Sequence, residues 1–251
     1  MKWLYLLVDL FTVIVPLIFS FHPKLNFYKS WKAFFLANIF VSLIFIAWDI
    51  LFTRLGVWGF NPDYVLGAYF FNLPVEEVLF FICIPFSCVF TYHCFNLFWG
   101  INWKSKSQNL FVVLMSLLLF ITGIYYLNKL YTAGTFISLA CVLMLITFFA
   151  NKKGLSKLTL VYPLLVIPFF IVNGILTGTG LQHPVVWYNN SHNLGIRLLT
   201  IPVEDLFYGF ELVLANVVLY EFFKNKLQTD KLKVRLKPDE IISKQKSHRY
   251  R

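Results

Sequence analysis

Seven long runs of apolar residues, separated by short polar segments, dominate the pattern along this chain of 251 residues. They cover approximately residues 3–21, 32–50, 74–98, 109–127, 131–150, 158–177 and 201–223. Each run has about the 20 residues that an α-helix needs to cross a bilayer. The pattern therefore predicts an all-α integral membrane protein with seven transmembrane helices. The first run contains Asp9 and lacks a signal-peptide cleavage site, so we expect it to be a retained helix.

Lysine and arginine lie mainly on one side of these predicted helices. The segments 22–32, 100–108, 151–157 and 224–251 hold eighteen of the 22 basic residues. Because basic loops stay in the cytoplasm, we expect a cell-membrane protein with its N-terminus outside and its C-terminus inside. Residues 224–251, with ten basic and three acidic residues, form a basic tail suited to anionic lipid headgroups. The tail lacks the interleaved aromatic residues of a nucleic-acid surface, so membrane lipids are the expected partner.

One motif occurs twice in the chain. The segment 74–81, PVEEVLFF, recurs at 202–209 as PVEDLFYG, and Gly67 and Gly195 each lie seven residues before the motif's proline. Further upstream, related positions are occupied by Asp49 and Asn173 in the preceding apolar runs, and by Trp58, Asn61, Trp187 and Asn190 in the loops. The repetition predicts two parallel three-helix repeats, 1–107 and 131–223, joined by a linker helix at 108–130.

Adjacent carboxyl groups at the start of a membrane helix are costly, and an ionisable residue at this depth indicates a functional site. The helix dipole would account for one acidic residue in a first turn, but not for a duplicated pair. The candidate catalytic residues are Glu76, Glu77, Glu204 and Asp205. The candidate substrate-binding residues are Phe80, Phe81, Phe207, Tyr208, Asn61, Asn190, Asp49, Asn173 and Glu211.

These residue types suit one kind of chemistry. A protonated carboxyl group can act as an acid while its neighbour accepts a proton. Aromatic faces stabilise cations, and an apolar cavity keeps water away from them. The combination favours a carbocation reaction on an apolar polyene. The chain has no dinucleotide fingerprint, no P-loop and no HExxH motif, and its four cysteines lack metal-ligand spacing, so we expect neither a cofactor nor a metal.

The doubled acidic motif, with its upstream glycine and asparagine, resembles the heterodimer-type lycopene cyclases in their fused, two-repeat form. The resemblance covers residues 1–223. It implies cyclisation of the acyclic ψ-ends of lycopene to β-rings, giving γ-carotene and then β-carotene without redox change. It also implies that one of the four motif carboxyls protonates the terminal C1=C2 bond and that another removes a proton from C6. The sequence indicates neither which carboxyl donates nor the oligomeric state.

Two other functions fit parts of this pattern. A related carotenoid hydratase would protonate the same double bond and let water capture the cation. A small transporter also has two parallel three-helix repeats around a linker helix, although adjacent carboxylates are unusual for a neutral solute. A retinal-binding rhodopsin needs a lysine in its last helix, and residues 201–223 contain none.

Overall fold

The computed structural model describes residues 1–99, 105–149 and 153–249. Its α-helices are α1 (Leu4–Phe19), α2 (Trp31–Arg54), α3 (Val75–Phe98), α4 (Ser105–Tyr125), α5 (Leu130–Phe149), α6 (Lys153–Leu176) and α7 (Val203–Arg249), with a 3₁₀ turn at Phe27–Ser30. Six short strands lie in two loops: β1 (Trp58–Phe60), β2 (Tyr69–Phe70), β3 (Leu73–Pro74), β4 (Val186–Tyr188), β5 (Arg197–Leu198) and β6 (Ile201–Pro202). We call residues 55–74 and 177–202 the motif loops.

Helices α2 to α7 are all long and apolar enough to cross a membrane. The prediction of a helical membrane protein is therefore confirmed for this part of the chain. Helix α1 is also apolar but has only 16 residues, so the seventh crossing stays a prediction. Helix α7 continues beyond the predicted boundary at residue 223 and ends at Arg249.

The helix contacts repeat between the two halves of the chain. Helix α1 packs on α3 as α5 packs on α7, and α2 and α6 each contact both α3 and α7. Helix α4 packs mainly on α5, at the edge of the bundle. The contacts of α1–α3 therefore resemble those of α5–α7, and the division into two repeats and a linker helix stays a prediction.

Prolines inside two helices create specific polar contacts. Pro85 has no N–H, so the carbonyl of Phe81 loses its usual helical partner. Asn38 and Ser42 of α2 donate to that carbonyl instead, both at 2.9 Å. In α1, Pro16 frees the carbonyl of Thr12 in the same way, and Ser87 of α3 donates to it at 2.9 Å. These contacts connect α3 to α2 and α1 at buried or half-buried positions.

The motif loops join the two repeats directly. Strands β1 and β4 form an antiparallel pair in which Gly59 lies opposite Trp187. A Cβ at Gly59 would lie 2.4 Å from the Trp187 ring, so this close approach requires glycine. The Asn61 N–H donates to the Val185 carbonyl at 2.8 Å, and the Asn189 N–H donates to the Val57 carbonyl at 2.9 Å.

This symmetry corrects one pairing expected from the sequence. The structural counterpart of Asn61 is Asn189, not Asn190. The two tryptophans indicated the wrong pairing of the loops, because Trp58 and Trp187 do not occupy equivalent positions in the β1–β4 pair. Each asparagine also accepts a hydrogen bond from the backbone N–H two residues later, at Asp63 and at Ser191.

Candidate functional site

A tight hairpin places each acidic pair at the start of its helix. Strands β2 and β3 lead into α3, and strands β5 and β6 lead into α7. Gly67 and Gly195 precede these hairpins with φ values of +90° and +74°, which glycine adopts without strain. The repeated glycine of the sequence therefore serves the turn that orients each motif.

The first carboxyl of each pair binds its own motif loop. Glu76 Oε1 accepts a hydrogen bond from the Leu66 N–H at 2.7 Å, and Glu204 Oε1 accepts one from the Leu194 N–H at 2.7 Å. The Thr132 hydroxyl also donates to Glu204 Oε1, at 2.6 Å. Both glutamates are fully buried. These hydrogen bonds connect each motif loop to the helix that follows it.

The second carboxyl of each pair turns to the interior of the bundle. Glu77 accepts a hydrogen bond from the Tyr5 hydroxyl of α1. Asp205 accepts from Tyr131 of α5 at 2.6 Å, from Tyr188 of β4 at 3.0 Å and from Asn173 of α6 at 3.3 Å. Glu77 and Asp205 both line one cavity, whereas Glu76 and Glu204 do not.

That cavity has a volume of about 600 Å³ and lies between α1, α3, α6 and α7. It extends along α3 from Glu77 to Thr91, fourteen residues or about 21 Å of helix. The lining residues Phe11 of α1 and Ile171 of α6 are 72% and 63% exposed. The cavity is therefore elongated and opens sideways between α1 and α6, where an embedded protein meets lipid.

Aromatic side chains surround the carboxyl end of the cavity. The Trp58 ring centroid lies 5.0 Å from that of Tyr131 and 6.3 Å from that of Tyr208. Tyr131 stacks on Tyr188 at 5.9 Å. The Trp58 indole N–H donates to Asp49 Oδ1 at 2.6 Å. We call Trp58, Tyr131, Tyr188 and Tyr208 the aromatic cluster; it presents ring faces and edges beside two buried carboxyls.

Tyr188, in the second motif loop, keeps its proton. Burial, and next the negative charge of Asp205, raise the pKa of its hydroxyl well above the usual value. It therefore remains a hydrogen-bond donor to Asp205 across the physiological pH range.

A family model described as "Lycopene cyclase" matches residues 2–95 and 128–223. The chain belongs to the lycopene cyclase family. Each matched segment contains one acidic pair, and the resemblance stated from the motifs is confirmed. No curated protein and no solved structure matches the chain. Family membership makes this cyclase-family protein an enzyme of carotenoid cyclisation, with a carotenoid substrate and a membrane-lipid environment.

The structure divides the predicted site residues of this family member into two groups. Those that line the cavity are Glu77, Asp205, Phe80, Tyr208, Asp49 and Asn173. Those that lie outside its lining are Glu76, Glu204, Phe81, Phe207, Glu211, Asn61 and Asn190.

The second group has other contacts. Phe81 packs in a buried cluster with Phe45, and Phe207 packs on Phe136 with ring centroids 4.9 Å apart. Glu211 accepts a hydrogen bond from Ser138 at 2.8 Å. The two asparagines lie in the motif loops, where Asn190 accepts from Arg197 at 2.9 Å. Among the described residues, no group of His, Cys, Asp and Glu is arranged to hold a metal ion.

Sequence reasoning missed several cavity-lining residues. They are Tyr5, Tyr131, Tyr162 and Tyr188, and also Trp58, whose indole N–H donates a hydrogen bond to Asp49. A signal was present for two of them, because Tyr5 and Tyr131 each stand near the start of the first helix of their repeat.

Glu76→Ala is expected to lower the free energy of unfolding by about 1–3 kcal/mol, because it leaves the Leu66 N–H without its acceptor. Glu76→Gln keeps an acceptor oxygen and should be close to wild type. Thermal unfolding of both variants in detergent, beside wild type, measures the difference. Equal stability of the alanine and wild-type proteins would contradict the loop-binding role.

Proposed function

We propose that this protein converts the ψ-ends of lycopene to β-rings, giving γ-carotene and then β-carotene, as an intramolecular lyase that needs no redox cofactor. One observation carries the proposal. Glu77 and Asp205, from pseudo-symmetric helices, meet at the aromatic end of one elongated apolar cavity. Family membership supplies the carotenoid substrate.

The residues suggest how the reaction proceeds. One of the two carboxyls delivers a proton to C2 of the terminal C1=C2 bond, which leaves a cation at C1. The C5=C6 π electrons form the C1–C6 bond, and the positive charge moves to C5. The other carboxyl takes the proton from C6, and the C–H electrons form the C5=C6 bond of the β-ring. No electrons are gained or lost in this sequence.

The aromatic cluster supports the cationic steps. Its ring faces stabilise positive charge, with Trp58 the strongest contributor by ring type. The polar groups nearest the acids are already engaged, since Tyr5 donates to Glu77 and Trp58 donates to Asp49. The rest of the cavity lining is mainly apolar, which disfavours an attacking water and favours ring closure over hydration.

The lateral opening between α1 and α6 provides a route for the substrate. Lycopene dissolves in the hydrocarbon core, so one end can enter from lipid without crossing water. The length of the cavity suits a single linear end of the polyene. We infer that the two ends react in separate binding events.

Charge distribution supports the proposed topology: seven crossings, with the N-terminus and both motif loops outside and the basic C-terminus in the cytoplasm. The carboxyls would then lie near the outer boundary of the cell membrane. The proposed units are the repeats 1–107 and 131–223, the linker 108–130 and the tail 224–251.

Pigment analysis in a lycopene-accumulating bacterial host tests the proposed reaction. Expression of the chain should convert lycopene to γ- or β-carotene at unchanged mass, and the purified protein should do the same without added flavin. A product heavier by one water would identify a hydratase instead. Unchanged lycopene, with folded protein in the membrane, would contradict cyclisation and favour transport or another polyene. A strict need for reduced flavin would contradict the cofactor-free mechanism.

A further inference from the structure

Each motif loop contains a tight hairpin whose tip is apolar and exposed. In the first hairpin, Phe71 follows Phe70 and is 77% exposed. In the second, Leu199 follows Leu198 and is 75% exposed. The first tip belongs to a run of four exposed apolar residues, 68–71. A surface that faces water avoids such runs unless they serve a function.

The backbone conformation makes these two side chains more unusual. Each hairpin turn has two central residues, and the first of them has a positive φ, +54° at Phe71 and +59° at Leu199. Among the residues that the structure describes, Asn26 is the only other non-glycine residue with a positive φ. Glycine is favoured at this turn position because a Cβ crowds the backbone there. Both hairpins keep a large apolar residue where the turn favours glycine, which indicates a role for the side chain.

Both hairpin tips lie beside a membrane helix rather than beyond its end. The Asn72 side-chain amide donates to the Ile50 carbonyl of α2 at 3.0 Å, and the Thr200 hydroxyl donates to the Gly174 carbonyl of α6 at 3.3 Å. Both carbonyls lie near the ends of these helices, and both helices are long and apolar enough to cross a membrane. The residue after each tip is therefore held at the depth of the last helical turns.

The hairpins also connect directly to the acidic pairs. The Val75 N–H donates to the Ala68 carbonyl at 2.9 Å, and the Val203 N–H donates to the Ile196 carbonyl at 3.0 Å. Each of these bonds closes the base of a hairpin, and its donor is the residue just before the first carboxyl of a pair. A hairpin held at one depth therefore holds the start of the following helix with it.

We propose that Phe71 and Leu199 insert between lipid headgroups and acyl chains and so anchor both motif loops in the membrane. This boundary suits a hairpin tip, because apolar side chains reach the acyl chains while water among the headgroups still serves the backbone of the turn. Lipid is the occupant rather than a second copy of the chain, because the two tips adjoin different helices, α2 and α6, and one contact between chains would cover only one of them. The anchoring does not depend on the reaction that the carboxyls perform.

Photo-crosslinking from the hairpin tip tests the insertion. Phe71 is replaced in the full-length chain by the photoreactive analogue p-benzoylphenylalanine, and the protein is reconstituted in phosphatidylcholine vesicles. After irradiation, mass spectrometry should detect covalent adducts of the protein with the acyl chains of the phospholipid. The matched control carries the same analogue at Asp63, an exposed polar position of the same motif loop, and should form no acyl-chain adduct.

A Phe71 variant that forms no lipid adduct, or that links two protein chains instead, would overturn the proposal. The same analogue at Leu199 should also react with acyl chains. This second variant decides the question if the Phe71 variant does not fold.

Hydrogen exchange in the same vesicles tests the anchoring. Phe71→Ser removes the apolar side chain from the first tip, so the first motif loop should open more often and the backbone amides of residues 64–75 should exchange faster. The second motif loop, residues 177–202, keeps Leu199 and should exchange as in wild type. Asp63→Ser is the control and should leave both loops unchanged. Equal exchange of residues 64–75 in Phe71→Ser and wild type would contradict the anchoring.

Discussion

Replacing Glu77 by glutamine should lower the rate of ring formation by about 10²- to 10⁴-fold, the usual contribution of general acid–base catalysis. Glutamine keeps the size of the side chain and can still accept from Tyr5, but it has no proton to give. We expect the protein to remain folded and to bind lycopene. The measurement is the initial rate of γ- and β-carotene formation by purified protein.

Glu76→Gln is the matched control for this experiment, because it changes the adjacent carboxyl in the same way. Glu76 faces the motif loop rather than the cavity, and glutamine still accepts the Leu66 N–H. Its turnover should be close to wild type. An inactive Glu76→Gln beside an active Glu77→Gln would reverse the assignment within the pair.

We expect Asp205 to be the carboxylate that takes the C6 proton, since three side chains donate hydrogen bonds to it. Asp205→Asn should also lower the rate of β-ring formation by about 10²- to 10⁴-fold, because that proton acceptor is lost. Protonation at C2 remains possible, since Glu77 is unchanged. The longer-lived cation should be captured more often by water, so we expect the residual products to include species heavier by water. Liquid chromatography with mass detection measures both changes.

Glu204→Gln provides the corresponding control in the second repeat. Glu204 accepts from Leu194 and Thr132, and a glutamine carbonyl can take over that role. We expect nearly unchanged turnover and products. If Glu204→Gln lost activity as completely as Asp205→Asn, with its fold intact, the division of each pair into a loop-binding and a cavity-facing carboxyl would be wrong.

Much of the architecture could be predicted from the sequence. The apolar runs located all seven helices, and the repeat of Pro74–Glu77 at Pro202–Asp205 indicated two related halves. Helix length and apolar character depend on local composition, which the chain displays directly. The boundary of α7 was missed because the polar segment after residue 223 continues as helix, although no apolar pattern requires it.

The orientation of each acidic pair could not be predicted in the same way. Neighbouring helical residues point about 100° apart, so either member of a pair could face the cavity. The choice depends on the rotation of α3 and α7, which the Leu66 and Leu194 contacts fix across the motif loops. The same rotation of α3 places Phe80 in the cavity lining and Phe81 outside it.

Contacts between distant segments were the other missing information. Tyr5 reaches Glu77 across 72 residues of sequence, and Tyr131 reaches Asp205 across 74. No local periodicity reports such pairings.

Isotope incorporation in a single turnover tests the central claim most directly. The purified protein is equilibrated in D₂O, so that its carboxyl groups carry deuterium, and is then mixed in excess with lycopene. The account predicts that the first β-ring formed carries one deuterium at C2 and that its C6 proton is lost. A β-ring without deuterium at C2, or a product that retains water, would contradict protonation by an exchangeable carboxyl as the step that starts cyclisation.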